Sequence, residues 1–214
     1  MKIILTGSTG FAGSEVLAQC IVSASITSII VLSRRPLKDS QKHDKVNNII
    51  MADFKAYLPE VIKEISDADA CIWCLGGTSI EAEIHFPMAF VRAMTESWST
   101  RNKPFRYVHC SGILAEKDQT KSLWFLPEGR RAKGRVETQL LQYATETECK
   151  DVWQTYIMRP SLIMPKEASV VQKIMSYLLG SVRVDELART SIKLASTTSA
   201  STTLENDDLA RLGH

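Results

Sequence analysis

Lys2-Ile3-Ile4-Leu5-Thr6-Gly7-Ser8-Thr9-Gly10-Phe11-Ala12-Gly13-Ser14-Glu15-Val16-Leu17 is the stretch whose reading decides the fold. A short apolar run stops at Thr6, three glycines follow at 7, 10 and 13, and an amphipathic run then begins with Val16, Leu17, Cys20 and Ile21 on one face. That order reads as a buried strand, a tight turn and a helix. It is the order a dinucleotide needs. Gly7 takes the backbone angles of the turn, Gly10 lets the main chain approach a pyrophosphate, and Gly13 lets the helix pack on the strand. The N–H groups and positive dipole end of the helix then face the phosphates, with Thr9 and Phe11 in the same cradle.

The whole chain sets the frame around this loop. Its 214 residues are 44% hydrophobic and 23% charged, which predicts one soluble globular domain with a real core. The net charge of +2 is too small to argue for nucleic acid or a membrane surface. No apolar run is long enough to span a bilayer, and glycine interrupts the first one at once, so it reads as a strand rather than a signal peptide. Five scattered cysteines suit a reducing, cytoplasmic compartment. Cys71 and Cys74 fall in an apolar run that reads as a buried strand, where alternation puts them on opposite faces as small hydrophobes rather than a metal or redox pair.

Further along, Ser28–Ser33 reads as a second buried strand ending at Arg34-Arg35. An acid about 20 residues past the glycines would hold the ribose hydroxyls of NAD. A doubly basic position instead suits the 2′-phosphate of NADPH, through charge-assisted hydrogen bonds. Residues 48–51 read as a third strand. Asp53 then suits a helix N-cap, with Leu58, Val61, Ile62 and Ile65 at helical spacing behind it. A fourth strand over 69–75 runs into Gly76-Gly77-Thr78, small residues that admit the cofactor's ribose and phosphates. The next helix is expected from Pro87, with Ala89, Phe90, Ala93, Met94 and Ser97 inward and His85 in the loop before it. A fifth strand covers 105–110, a long loop with Trp124, Phe125 and Leu126 covers 113–129, and a helix covers 130–141. A sixth strand over 153–158, helices at about 168–180 and 184–196, a small polar linker over 197–203 and a short last helix complete the chain. In the helix over 184–196, Val184, Leu187, Ala188, Ser191 and Ala195 share a face.

In this order the glycine loop, the Gly-Gly-Thr loop, Ser111-Gly112, Lys133-Gly134, Arg159-Pro160 and the closing Leu204-Glu205-Asn206 resemble the atypical and extended short-chain dehydrogenase/reductases. The closest likeness is to the small HIV Tat-interacting oxidoreductase-like proteins and their fungal relatives. The resemblance covers nearly the full chain. It implies an α/β fold with a doubly wound parallel sheet, an NAD(P)-binding Rossmann domain with a small C-terminal helical part. It implies that Asp53 and Phe54 lie by the adenine, that Ser111 hydrogen-bonds the substrate oxygen, that Lys133 holds the nicotinamide ribose, and that Arg159 lies near the nicotinamide. The family's catalytic helix carries Tyr-x-x-x-Lys, four apart on one helix face. Here the tyrosine position is Gly129.

The resemblance therefore implies an NADPH-dependent oxidoreductase of a small carbonyl or hydroxyl compound with a non-standard proton donor. Ser111 and Glu128, the more distant His85 and His109, or a water over Lys133 are the candidates. An isomerase or dehydratase on the same scaffold, or an NADPH-sensing regulator without chemistry, are the alternatives. The expected partner is a small molecule, with no nucleic acid and no membrane, and a homodimer is left open.

Overall fold

Alternation along the strands builds two cores. On β1 (Lys2–Thr6), Ile3 and Leu5 point to one face of a sheet and Ile4 to the other. On β2 (Ser28–Ser33), Ile29 and Val31 join the first face while Ile30 and Leu32 join the second. Strands apolar on both faces must be covered on both, which is the signature of a parallel sheet between helical layers.

The computed structural model describes residues 1–77, 79–98, 101–169, 171, 172, 174, 176 and 180–214. After β1 come α1 (Phe11–Val22), β2, β3 (Val46–Ile50), α2 (Pro59–Ile65), β4 (Ala70–Trp73), α3 (Phe86–Glu96), β5 (Phe105–Cys110), α4 (Pro127–Glu146) and β6 (Trp153–Arg159). Then follow β7 (Leu162–Met164), β8 (Ser181–Arg183), α5 (Val184–Ser196), β9 (Thr203–Glu205) and α6 (Asn206–Gly213). Seven strands form one sheet in the order β3-β2-β1-β4-β5-β6-β9, every neighbouring pair parallel. The chain winds outward from β1 to β3, returns to β4, and winds outward again. The switch between β1 and β4 opens a crevice at the C-terminal ends of the strands, where ligands of such sheets bind. Helices α1, α5 and α6 cover one face, through Leu17, Leu187 and Leu209. Helices α2, α3 and α4 cover the other, through Ile65, Phe90 and Val136. Strands β7 and β8 form a separate parallel pair.

Several expectations are corrected. Helix α2 starts at Pro59, with Leu58 as its N-cap, so Asp53 caps no helix. Its Oδ1 accepts the Lys55 N–H at 2.8 Å in a local turn. A π-helical turn, Glu81–His85, runs directly into α3, so His85 is helical rather than in a loop. The buried face of α3 is Pro87, Phe90, Val91, Met94 and Thr95, rotated from the expected one. Helix α4 begins at Pro127, which puts Glu128 and Gly129 inside its first turn. The end of the polar linker pairs as β9 with β6, Met158 opposite Leu204. The five residues expected to share the inner face of α5 are all buried. The helix expected near 168–180 falls partly outside the described residues.

The loop before α4 lies flat on that helix. Glu116 N donates to Arg130 O at 2.9 Å, and Arg130 Nε donates to Leu114 O at 3.0 Å. The approach is close because of Gly134, where a Cβ would overlap the Glu116 carbonyl oxygen. Gly134→Ala is therefore expected to lower stability by about 1–3 kcal/mol, the usual cost of overpacking. A urea titration checks it, and an unchanged midpoint would show that loop and helix are not locked together.

Candidate functional site

The first glycine turn is shaped by backbone contact. Gly7 has φ +71°, and a Cβ there would overlap the Cys74 carbonyl oxygen. A Cβ at Gly13 would overlap the Gly7 carbonyl oxygen. Gly10 differs: its Cβ would meet only Gly7 O, at 3.3 Å, so its outer side is open. Gly10 is also the N-cap of α1, which has no side-chain cap and no acid in its first turn. The Ser8 hydroxyl is buried and has no partner among the described residues. Gly7, Ser8 and Thr9 line a narrow cleft with Leu32, Ser33, Arg34, Arg35, Phe54 and Leu75. Arg34 and Arg35 are exposed, and neither guanidinium is in an ion pair among the described residues. Uncapped N–H groups, an orphaned hydroxyl and two free guanidiniums are the donor set a phosphorylated dinucleotide needs. The residues present thus fit such a cofactor.

Other expected cofactor residues stand differently. Phe11 is largely exposed at the start of α1, while Phe54 is a core residue. The Phe54 ring meets Trp73 edge-on at 6.2 Å and Phe86 at 5.7 Å, so core packing takes most of its surface although it lines the cleft. Asp53 is exposed beside it. Gly76 and Gly77 lie exposed after β4, and Thr78 lies outside the described residues.

Lys133 projects from α4 onto a carboxylate that the sequence reading did not single out. Its Nζ lies 3.0 and 3.1 Å from the two oxygens of Glu83, which is 4% exposed. Glu83 also accepts the Gly77 N–H at 2.9 Å. Being in the π-helical turn aims Glu83 inward beside Ile84, and such turns cluster at functional sites. In sequence Glu83 is one of two acids, with Glu81, just before the apolar start of α3, and nothing local marks it out from its neighbour.

One turn along α4, Glu137 is fully buried. Ser111 Oγ donates to its Oε1 at 2.6 Å, Arg159 Nε lies 3.0 Å from both of its oxygens, and Arg159 Nη2 closes on Oε2. Arg159 also reaches Glu205 at 3.0 Å. Ser111 and Arg159 are thus joined to each other through Glu137. The i,i+4 spacing from Lys133 to Glu137 was the available signal, since it puts both on one helix face. Glu137 raises the Arg159 guanidinium above its ordinary range through its hydrogen bonds.

His109 is buried on β5, its Nδ1 3.3 Å from Tyr107 Oη. Burial, then the Lys133 charge, pushes its imidazole down to about 3. It is therefore neutral at pH 7 and a poor proton donor. His85 is exposed at the end of the π-helical turn. Glu128 is exposed at the rim of a cavity of about 470 Å³, lined by Gly77, Leu114, Leu126, Pro127, Gly129, Arg130 and Lys133. Its walls are mainly apolar, and its ionisable lining residues are Glu128, Arg130 and Lys133. A Cβ on Gly129 would find no atom within 4 Å, and its φ is not in the left-handed region. Trp124 is 94% exposed and leans on Phe125, so this loop offers the cavity Leu126 rather than its tryptophan.

No protein-family model matches the chain. Over 76 residues it is 37% identical to leucinostatins biosynthesis cluster protein T of Purpureocillium lilacinum, a stretch covering 36% of this chain and 28% of that protein. The match thus spans little more than a quarter of that relative's length. Among solved structures, the dTDP-glucose 4,6-dehydratase of Bacillus anthracis in complex with NAD superposes with a TM-score of 0.70 at 13% identity, covering 96% of this chain and 74% of that one. Gre2 of Candida albicans in complex with NADPH gives 0.68 at 13% identity, covering 96% and 77%. The chain has the Rossmann fold. Among the described residues no helix is long and apolar enough to cross a membrane.

Two expectations follow from the buried groups. Glu137→Gln leaves Arg159 facing an uncharged amide in a largely buried place. Stability is expected to fall by about 3 kcal/mol, the low end for a broken buried pair because Glu205 remains. A denaturant titration of the variant checks this, and a loss under about 1 kcal/mol would place the pair with surface ion pairs. For His109 the folded-state value lies below the ordinary 6.5, so the unfolded chain takes up the proton first. Stability is then complete above about pH 6.5 and falls as the pH drops toward 3. His109→Gln should flatten that part of the pH–stability curve, and an identical slope in both proteins would assign the acid loss to other groups.

Proposed function

We propose that this chain is an NADPH-binding member of the short-chain dehydrogenase/reductase superfamily, a single domain acting on a small carbonyl or hydroxyl compound in the cavity beside Lys133. One observation carries the reading. The open turn at Gly10 and the cavity at Lys133 lie on the same C-terminal edge of the sheet, linked by the Gly76-Gly77 loop between them. A dinucleotide with its pyrophosphate at the turn would extend along this edge, across the switch point of the sheet. Its reactive end would then lie by the cavity.

On this reading Gly7 and Gly13 shape the turn, Gly10 with Thr9 and Phe11 holds the pyrophosphate, and Arg34 and Arg35 hold the 2′-phosphate. Gly76, Gly77 and Lys133 border the nicotinamide end. The bound cofactor supplies the hydride. The chain's own residues bind, orient and exclude water: Leu114, Leu126 and Pro127 enclose the substrate's apolar body, and Lys133 faces its oxygen. Ser111, bonded to Glu137, holds the edge of α4 against β5. Unpaired cysteines suit a reducing compartment such as the cytoplasm. The solved relatives bound to NAD and to NADPH support a nucleotide in this crevice.

Fluorescence titration tests the reading. Replacing Arg34 and Arg35 by Ala should weaken NADPH by about 10-fold or more, since a charge-assisted contact is worth about 1.5–3 kcal/mol. NADH affinity should barely change. Equal losses for both cofactors would remove the 2′-phosphate contact. Gly10→Val should fold, because only Gly7 O stands near its Cβ, yet bind neither cofactor. Unchanged affinity in that variant would sink the glycine turn as the site.

A further inference from the structure

Reducing a carbonyl needs a proton for the oxygen as well as a hydride for the carbon. Of the residues lining the cavity, three are ionisable: Glu128, Arg130 and Lys133. Glu128 is an exposed carboxylate, an acceptor when ionised. Arg130 spends its Nε on Leu114 O, and a guanidinium does not give up its proton. The Ser111 hydroxyl is committed to Glu137 at 2.6 Å, and His109 is a neutral ring sealed in the core. Lys133 is left. Its ammonium has three N–H donors. Glu83 takes it from one side, at 3.0 and 3.1 Å, and is itself fixed by the Gly77 N–H. One turn back, the bare Gly129 leaves the space beside Lys133 open to the cavity.

The geometry points to Lys133 as the group that protonates the substrate oxygen, with Glu83 as its positioning residue. The inference rests on the reductase reading above. The hydride brings its electron pair to the carbonyl carbon, the π pair of the C=O bond moves to oxygen, and that oxygen takes a proton from Lys133 Nζ. The neutral amine left behind regains a proton from water at the cavity mouth. Glu83 keeps the side chain aimed along the wall between turnovers. The glycine at 129 is then what lets the oxygen reach the lysine directly.

Two measurements test this. The first needs no cofactor. Para-nitrophenol titrated into the wild-type protein should bind with its oxygen at the Lys133 N–H groups. Its yellow phenolate should then form about one pH unit lower than for the free probe. Lys133→Ala should abolish that shift. An equal shift in both proteins, or no binding to the wild type, overturns the proposal. The second follows NADPH consumption with para-nitrobenzaldehyde, phenanthrenequinone and diacetyl, at saturating NADPH. Lys133→Ala and Lys133→Arg should each lower kcat by about 10²–10⁴-fold. Methylammonium should restore part of the rate to Lys133→Ala, which a purely structural lysine would not allow. Glu83→Gln should lower kcat with an unchanged KM for the carbonyl. A wild type that consumes NADPH with none of these carbonyls overturns the reductase reading and the proton role together. Consumption that survives Lys133→Ala overturns the proton role alone. Thermal melts on every variant separate loss of chemistry from loss of fold.

Discussion

A stack of main-chain contacts at the start of the sheet governs the rest of the molecule. The Cys74 carbonyl, the Gly7 peptide and Gly13 of α1 lie so close that a Cβ at either glycine would overlap a carbonyl oxygen. The end of β4, the turn after β1 and the first turn of α1 are therefore one rigid unit. Everything at the crevice takes its position from that unit. Because Gly10 turns outward from the stack, it is the place where backbone is offered to something other than protein.

The far end of the crevice is organised by charge. Helix α4 presents Lys133 and Glu137 one turn apart, and each finds an opposite partner: Glu83 on the π-helical turn before α3, Arg159 at the end of β6. Taking such groups out of water is costly, and a pair of this kind is weak support for stability as such. What the two pairs do is fix the rotation of α4 about its axis. One side chain per turn is tied to a different neighbour, so the face carrying Gly129 can point only toward the cavity. The pair at Glu137 also takes the Ser111 hydroxyl.

The fold was legible because its signals are local. Apolar runs such as Ile29-Ile30-Val31 and the three spaced glycines need no knowledge of distant contacts. Strand β2 and helix α5 are found where the periodicity puts them. Legibility ended where tertiary contact overrides local preference. The polar linker expected over 197–203 gives way at Thr203 to a strand, because β6 supplies an open edge and Thr203–Glu205 pairs with it. Asp53 has the chemistry of a helix cap, but the chain turns once more before α2 begins at Pro59. Phe54 was expected at the adenine because it follows that Asp; it does line the cleft, but Trp73 and Phe86 pack on its ring, contacts that spacing along the chain does not show. In the candidate site, the glycines, Arg34 and Arg35 were singled out from their types and spacing, and Lys133 from the family resemblance. Glu83 was not, because its role depends on a π-helical turn and on a lysine fifty residues away.

Leu126, at the head of α4, is the one non-glycine residue with positive φ among those described, at 43°. A left-handed conformation costs such a residue about 1–2 kcal/mol. The same residue is a wall of the cavity and the last of the exposed Trp124-Phe125-Leu126 run. Cavity shape and backbone strain are consequently one variable. A glycine at this position would relieve the torsion and remove the wall in the same step, so the strain and the apolar lining are inherited together.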